Sequence, residues 1–246
     1  MIRLKDLLKE FEYGNLLWAD PSANSDSARY KDFIDKAYNG KIETDSKEER
    51  EMWLALKQYL RYYEKPNPKL IDTLLALKKK FPSMLDTSTV INSSNQIYRG
   101  MTADINDLLE VIKEASSIEK SESTSYSKDY YRLTGINRTV KSRSEHFISV
   151  TYNLETAAFF ANLSYNKNKD RWRIITSTPY SKIENRSLFN PEFLNAVSGL
   201  NEEEFWVIGS EIPVTELYIK RPTADAIASN EDVRELDSAL NAKLES

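Results

Sequence analysis

The feature that most constrains the fold of this chain is a change of texture near residue 95. Up to about residue 90, apolar side chains recur every three or four positions; beyond it they gather into short runs separated by long polar connections. In the first part, Ser46-Lys47-Glu48-Glu49 has the form of a capping box. Met52, Trp53, Leu56, Tyr59, Leu60 and Tyr63 then follow at helical spacing, up to a stop before Pro66. Pro68 suits the first turn of another helix, with Leu70, Ile71, Leu74, Leu75 and Leu77 inside and Lys78-Lys79-Lys80 near its C-terminal dipole. An earlier helix fits residues 28–38, which Gly40 closes.

The second part reads differently. Strands are expected over residues 96–99, 146–152, 171–177, 205–208 and 216–220. One helix carries Ile105, Leu108, Leu109 and Ile112 behind a cap at Thr102 or Asp104, and a short one spans residues 155–162. The serine-rich stretch from Ser116 to Arg143 reads as loop, and residues 224–244 as a marginal polar helix or tail. Regular βα alternation is missing, so the expected class is α+β. Three parts are expected: a helical N-terminal segment over residues 1–92, a mixed-sheet core over 93–222, and a polar C-terminal helix or tail over 223–246.

Composition removes whole classes of chemistry. With no cysteine and the single histidine His146, neither a thiolate or His-rich metal site nor a His-dependent triad is supported. His146 itself suits a polar position where a strand begins. A net charge of −4 argues against a protein that coats nucleic acid. Residues 1–9 alternate charge and leucine without a secretory apolar region, and no run of about 18 apolar residues exists. A soluble protein acting in a cytoplasm, without a membrane partner, is expected.

Three ordered segments carry the remaining polar information: Tyr98-Arg99-Gly100, then Phe147-Ile148-Ser149-Val150-Thr151, then Glu202-Glu203-Glu204 ahead of Phe205-Trp206-Val207. If the last strand opens at Glu202, alternation puts Glu202 and Glu204 on one face, where they repel each other unless a cation or ligand engages them. Either the triplet is a solvated acidic loop, or one carboxylate stabilises a cationic sugar while the other orients a nucleophile. Arg99 is either an ordinary strand-end arginine or a bidentate ligand for a diphosphate, with Gly100 allowing close backbone approach. Ser149 and Thr151 share a strand face, and their hydroxyls either serve the fold or line a cleft and orient a carboxylate. Phe160, in the helix that follows, either packs in the core or faces an aromatic ligand. Two basic clusters, Lys128, Arg132, Arg138, Lys141 and Arg143, and Lys167, Lys169, Arg171 and Arg173, are either solvated surface or contacts for an anionic partner.

The trio resembles the arginine–serine–glutamate class of mono-ADP-ribosyltransferases, which includes cholera-type toxins, binary clostridial toxins and T-even-phage enzymes. The likeness covers residues 96–220 and rests on Ile97-Tyr98-Arg99-Gly100, the Phe-x-Ser-x-Thr strand with its Ala/Phe helix, and Glu-x-Glu before an apolar strand. Where that class commonly has Ser-Thr-Ser, this chain has Ser149-Val150-Thr151.

The resemblance implies an ADP-ribosyltransferase core with an NAD cleft. Arg99 would contact the phosphates and ribose of NAD, with Tyr98, Gly100, Thr151 and Phe160 beside it. Ser149 would brace Glu204, the catalytic glutamate. Glu202 would engage the acceptor, and a glutamate there implies arginine side chains. Residues 186–201 would form the acceptor-recognition loop. NAD would be a cosubstrate, with no metal needed, and the acceptor a host protein in preference to a nucleic acid. A glycohydrolase that passes ADP-ribose to water, or a non-catalytic binding module on the same fold, are the rival readings. A phage-encoded or bacterial intracellular enzyme is favoured over a classically secreted toxin.

Overall fold

The structure, a computed structural model, describes residues 85–121, 129–141, 147–167, 172–198 and 203–245, together with Asp72, Leu75 and Lys78. The helices expected before residue 66, with the capping box at Ser46, lie outside these residues, as does His146. In chain order the first elements are β1 (Gln96–Ala103), α1 (Ile105–Glu114), β2 (Ser117–Lys120), β3 (Tyr130–Thr134), β4 (Arg138–Lys141) and β5 (Phe147–Thr151). Then come α2 (Leu154–Lys167), β6 (Trp172–Pro179), β7 (Ser187–Leu188), α3 (Pro191–Ser198), β8 (Glu204–Ile208), β9 (Glu211–Val214) and β10 (Glu216–Lys220). Helices α4 (Ala224–Ser229) and α5 (Glu231–Leu244) close the order. The described residues thus form an α+β fold with a large antiparallel sheet and five α-helices. No helix among them is long and apolar enough to cross a membrane.

The chain divides into two compact units. One, here the Arg99 unit, comprises Ser93–Lys141, Val150–Lys182 and Glu211–Ser246; the other, the Glu204 unit, comprises Met1–Asn92, Ser142–Ser149 and Ile183–Ser210.

In the Arg99 unit the strands run β2-β3-β10-β6-β1, all antiparallel neighbours. Tyr98 of β1 also pairs with Thr151. One sheet face carries Ile118, Tyr131, Leu133, Trp172, Ile174, Leu217 and Ile219, packed with the apolar stripes of α1 and α5. Helix α1 starts where its cap predicts, with the Asp104 carboxylate accepting from the Asn106 N–H at 3.0 Å. Helix α2 covers the other face through Ala157, Ala158 and Ala161, over Tyr130, Ile175 and Tyr218.

One expectation fails in this unit, and one is narrowed. The stretch from 116 to 143 is not loop throughout, since it supplies β2, β3 and β4. Only the part around residues 121–128 is serine-rich; Tyr130, Tyr131 and Leu133 after it are buried, and pairing to β10 satisfies their backbone. The segment from 224, expected as a polar helix or tail, is helical, forming two capped helices. Val233, Leu236 and Leu240 of α5 are buried in the core, and Lys243 Nζ donates to the Ala115 carbonyl at the end of α1, at 2.9 Å.

In the Glu204 unit, β8 has β5 on one side and pairs antiparallel with β7 on the other. Its core is aromatic. Trp206 is fully buried, stacked on Phe147 at 4.5 Å and edge-on to Phe189 at 4.6 Å. Asn190 opens α3, its side chain accepting from the Glu192 N–H at 2.8 Å and donating to the Thr89 hydroxyl at 2.8 Å.

Candidate functional site

The Ser149 hydroxyl donates a hydrogen bond to the Glu204 carboxylate. Strand alternation explains how the pair forms. On β5, Ile148 and Val150 are buried while Phe147 and Ser149 point to the other face; on β8, Glu204 and Trp206 share a face. Two rungs therefore lie side by side between β5 and β8: Phe147 stacked on Trp206, and Ser149 bonded to Glu204. The fully buried Trp206 anchors the aromatic rung beside the polar one. Both Ser149 and Glu204 remain partly exposed, so the carboxylate is held in a defined orientation yet reachable from solvent.

The strand begins at Glu204, not at Glu202. Glu203 has φ 50°, a left-handed conformation, so simple alternation does not extend backward from Glu204 through Glu203. The expectation that Glu202 and Glu204 share a face by strand geometry loses its basis, and Glu202 itself lies outside the described residues. Glu203 is held by its own N–H, which donates to Asn195 Oδ1 of α3 at 3.1 Å. Neither feature was signalled in the sequence: a left-handed glutamate has no propensity signature, and Asn195 reads as one polar residue of a short helix. Of the segment from 186 to 201, the described residues are mostly packed structure, with Phe189, Asn190, Phe193 and Leu194 buried.

The other expected residues belong to the Arg99 unit. Arg99 lies in β1 opposite Thr176, whose hydroxyl donates to the Arg99 carbonyl at 3.5 Å. Gly100 is required by packing: a Cβ there would stand 1.8 Å from the Ala157 carbonyl oxygen and 2.7 Å from the Ala161 nitrogen. The close backbone approach that the glycine permits is that of helix α2. Thr151, only 4% exposed, accepts from the Asn153 N–H at 3.1 Å. Asn153 in turn caps α2 by accepting from the N–H groups of Glu155 at 2.9 Å and Thr156 at 3.2 Å. Its hydroxyl therefore serves the strand-to-helix turn. Phe160 is half-buried, with its ring edge-on to Phe159 at 5.8 Å.

Tyr98 contributes to a polar cluster on the α2 side of its sheet. Its ring meets Tyr218 edge-on at 6.1 Å. Burial, then the nearby Glu216 charge, pushes the Tyr98 phenol above its ordinary value; burial, then Tyr98 and Glu216, does the same to Tyr218. Burial also pushes Tyr130 up to about 12. All three are neutral phenols near pH 7.

The described basic residues are largely partnered. Arg132 makes a two-pronged contact with Glu216 at 3.1 and 2.5 Å, and Arg138 one with Glu114 at 3.0 and 2.7 Å. Lys141 meets Glu211 at 3.2 Å, and Arg173 donates to Asn162 at 3.3 Å. Arg132, Arg138 and Lys141 are paired with the protein's own carboxylates and Arg173 with an amide, which weakens the anion-surface reading for these four side chains. Lys128, Arg143, Lys169 and Arg171 lie outside the described residues. Among the described residues, no group of three or more histidine, aspartate or glutamate side chains is arranged to hold a metal ion.

No protein-family model, curated protein or solved structure matches this chain.

Proposed function

We propose that this chain is a mono-ADP-ribosyltransferase of the arginine–serine–glutamate class, transferring ADP-ribose from NAD to arginine side chains of a protein acceptor and releasing nicotinamide. The observation that carries the reading is the hydrogen bond from the Ser149 hydroxyl to the Glu204 carboxylate. It is the contact that the resemblance requires of these two positions, and the sequence alone does not dictate it.

The chemistry follows from the carboxylate. The bond between the nicotinamide nitrogen and ribose C1′ breaks, and its electron pair leaves with nicotinamide. The oxocarbenium-like sugar left behind is stabilised by the fixed negative charge of Glu204. Because Ser149 holds that carboxylate in place, little reorganisation accompanies the reaction. In this reading Arg99 grips the diphosphate with its planar fork. Glu202 orients the acceptor guanidinium and takes its proton as the new C–N bond forms. Such a carboxylate is needed because a free guanidinium has a pKa of roughly 12.5–13.8 and is a poor nucleophile while protonated.

Incubating the full-length protein with NAD and an arginine-rich acceptor tests this directly. Nicotinamide release with labelling of the acceptor is the expected result. Release without labelling identifies a glycohydrolase, and no release a binding module. Glu202→Gln is expected to keep nicotinamide release and abolish labelling; parallel loss of both places Glu202 in the ionisation step.

A further inference from the structure

The turn that leads into β8 is unfavourable on its own account. Glu203 sits at φ 50°, in the left-handed region that residues with a Cβ seldom occupy. Its Oε2 atom is buried and has no hydrogen-bond partner. Folding stability alone selects against both features, and residues in such conformations persist only where their surroundings hold them. The visible restraint is the Glu203 N–H donating to Asn195 Oδ1 at 3.1 Å. That acceptor is mounted on an anchored helix: α3 is capped by Asn190, and its own Phe193 and Leu194 are buried.

We infer that Asn195 is a positioning residue, clamping Glu203 in its left-handed conformation so that Glu204 enters β8 with its carboxylate against the Ser149 hydroxyl. Without the clamp, Glu203 relaxes to negative φ, the chain enters β8 in a new direction, and the carboxylate leaves Ser149. The kinetic consequence rests on the proposed role of Glu204. The conformational claim rests on the turn alone, so the two can fail separately.

The test compares N195A, E203G and the double variant N195A/E203G, each in the full-length chain. Nicotinamide release is measured against NAD concentration, and amide hydrogen exchange is followed across residues 203–208. N195A is expected to lower kcat about 10- to 100-fold, leave KM for NAD nearly unchanged, and speed exchange at the Glu203 and Glu204 amides. E203G in the same chain is expected to restore most of kcat and slow that exchange again, because glycine adopts positive φ without a side-chain penalty. Measured well below the melting point of every variant, a merely destabilising loss of Asn195 would leave kcat at the parental value. E203G alone, which folds even if N195A does not, is expected to melt above the parent. The inference is overturned if N195A leaves exchange unchanged, if kcat is unaffected in an active enzyme, if the double variant shows no recovery, or if E203G melts below the parent. Should the parent release no nicotinamide, the proposed enzyme is wrong, and exchange still decides whether Asn195 clamps the turn.

Discussion

In the Arg99 unit, three of the polar or small residues that first drew notice have a packing explanation. Gly100 admits helix α2, Thr151 turns β5 into that helix, and Tyr98 joins the buried phenol cluster with Tyr218. In the Glu204 unit the turn at Glu203 has none. A glutamate held at φ 50° with a buried unpartnered oxygen does not make a sheet more stable. The difference teaches where to look for chemistry: a residue that the fold already needs says little about function, whereas one that the fold must restrain points to it.

Gly100→Ala offers the most severe way to break this comparison. The added methyl meets backbone atoms of Ala157 and Ala161, which cannot swing aside as a side chain would. A loss of about 3 kcal/mol or more is expected in chemical denaturation. A stable G100A protein with impaired NAD binding would move Gly100 from packing to ligand contact.

Arg99→Lys sharpens the comparison from within the same strand. Charge is kept and the planar fork lost, so the fold should survive while NAD affinity falls about tenfold, or about 1.4 kcal/mol. Calorimetry showing unchanged affinity would make Arg99 structural as well.

Thr151→Val should have the smallest effect. Losing the hydroxyl that accepts from Asn153 is expected to cost about 1 kcal/mol of stability, with NAD binding intact. Weaker NAD binding at parental stability would return Thr151 to the ligand side.

Legibility in the sequence followed the strength of local pattern. Helix α1 was readable because Ile105, Leu108, Leu109 and Ile112 repeat at helical spacing behind Asp104, and its cap and buried face agree. Strand β3 was missed because serines dominate the preceding residues and hide the run from Tyr130 to Leu133, although Gly135, at φ 72°, marks the turn after it. Strand β9 contains Pro213, a residue that argues against a strand except at a sheet edge; among the described residues it pairs with β4 in a two-stranded ladder. Helix α5 is only marginal in the sequence because its buried positions, Val233, Leu236 and Leu240, form a narrow stripe among charged residues. For the site, alternation put Ser149 and Thr151 on one face, yet only tertiary contacts separate the hydroxyl that meets Glu204 from the one that meets Asn153. The turn at Glu203 was beyond reach, since it depends on a partner from another element.

The central claim is that the carboxylate held by Ser149 stabilises a cationic sugar, and Glu204→Gln tests it most directly. The substitution keeps size and retains an oxygen to accept from Ser149, while removing the negative charge. Nicotinamide release at saturating NAD is expected to fall roughly 100- to 1,000-fold, with the melting curve close to the parent's. An E204Q protein that folds normally and releases nicotinamide at the parental rate would contradict the account.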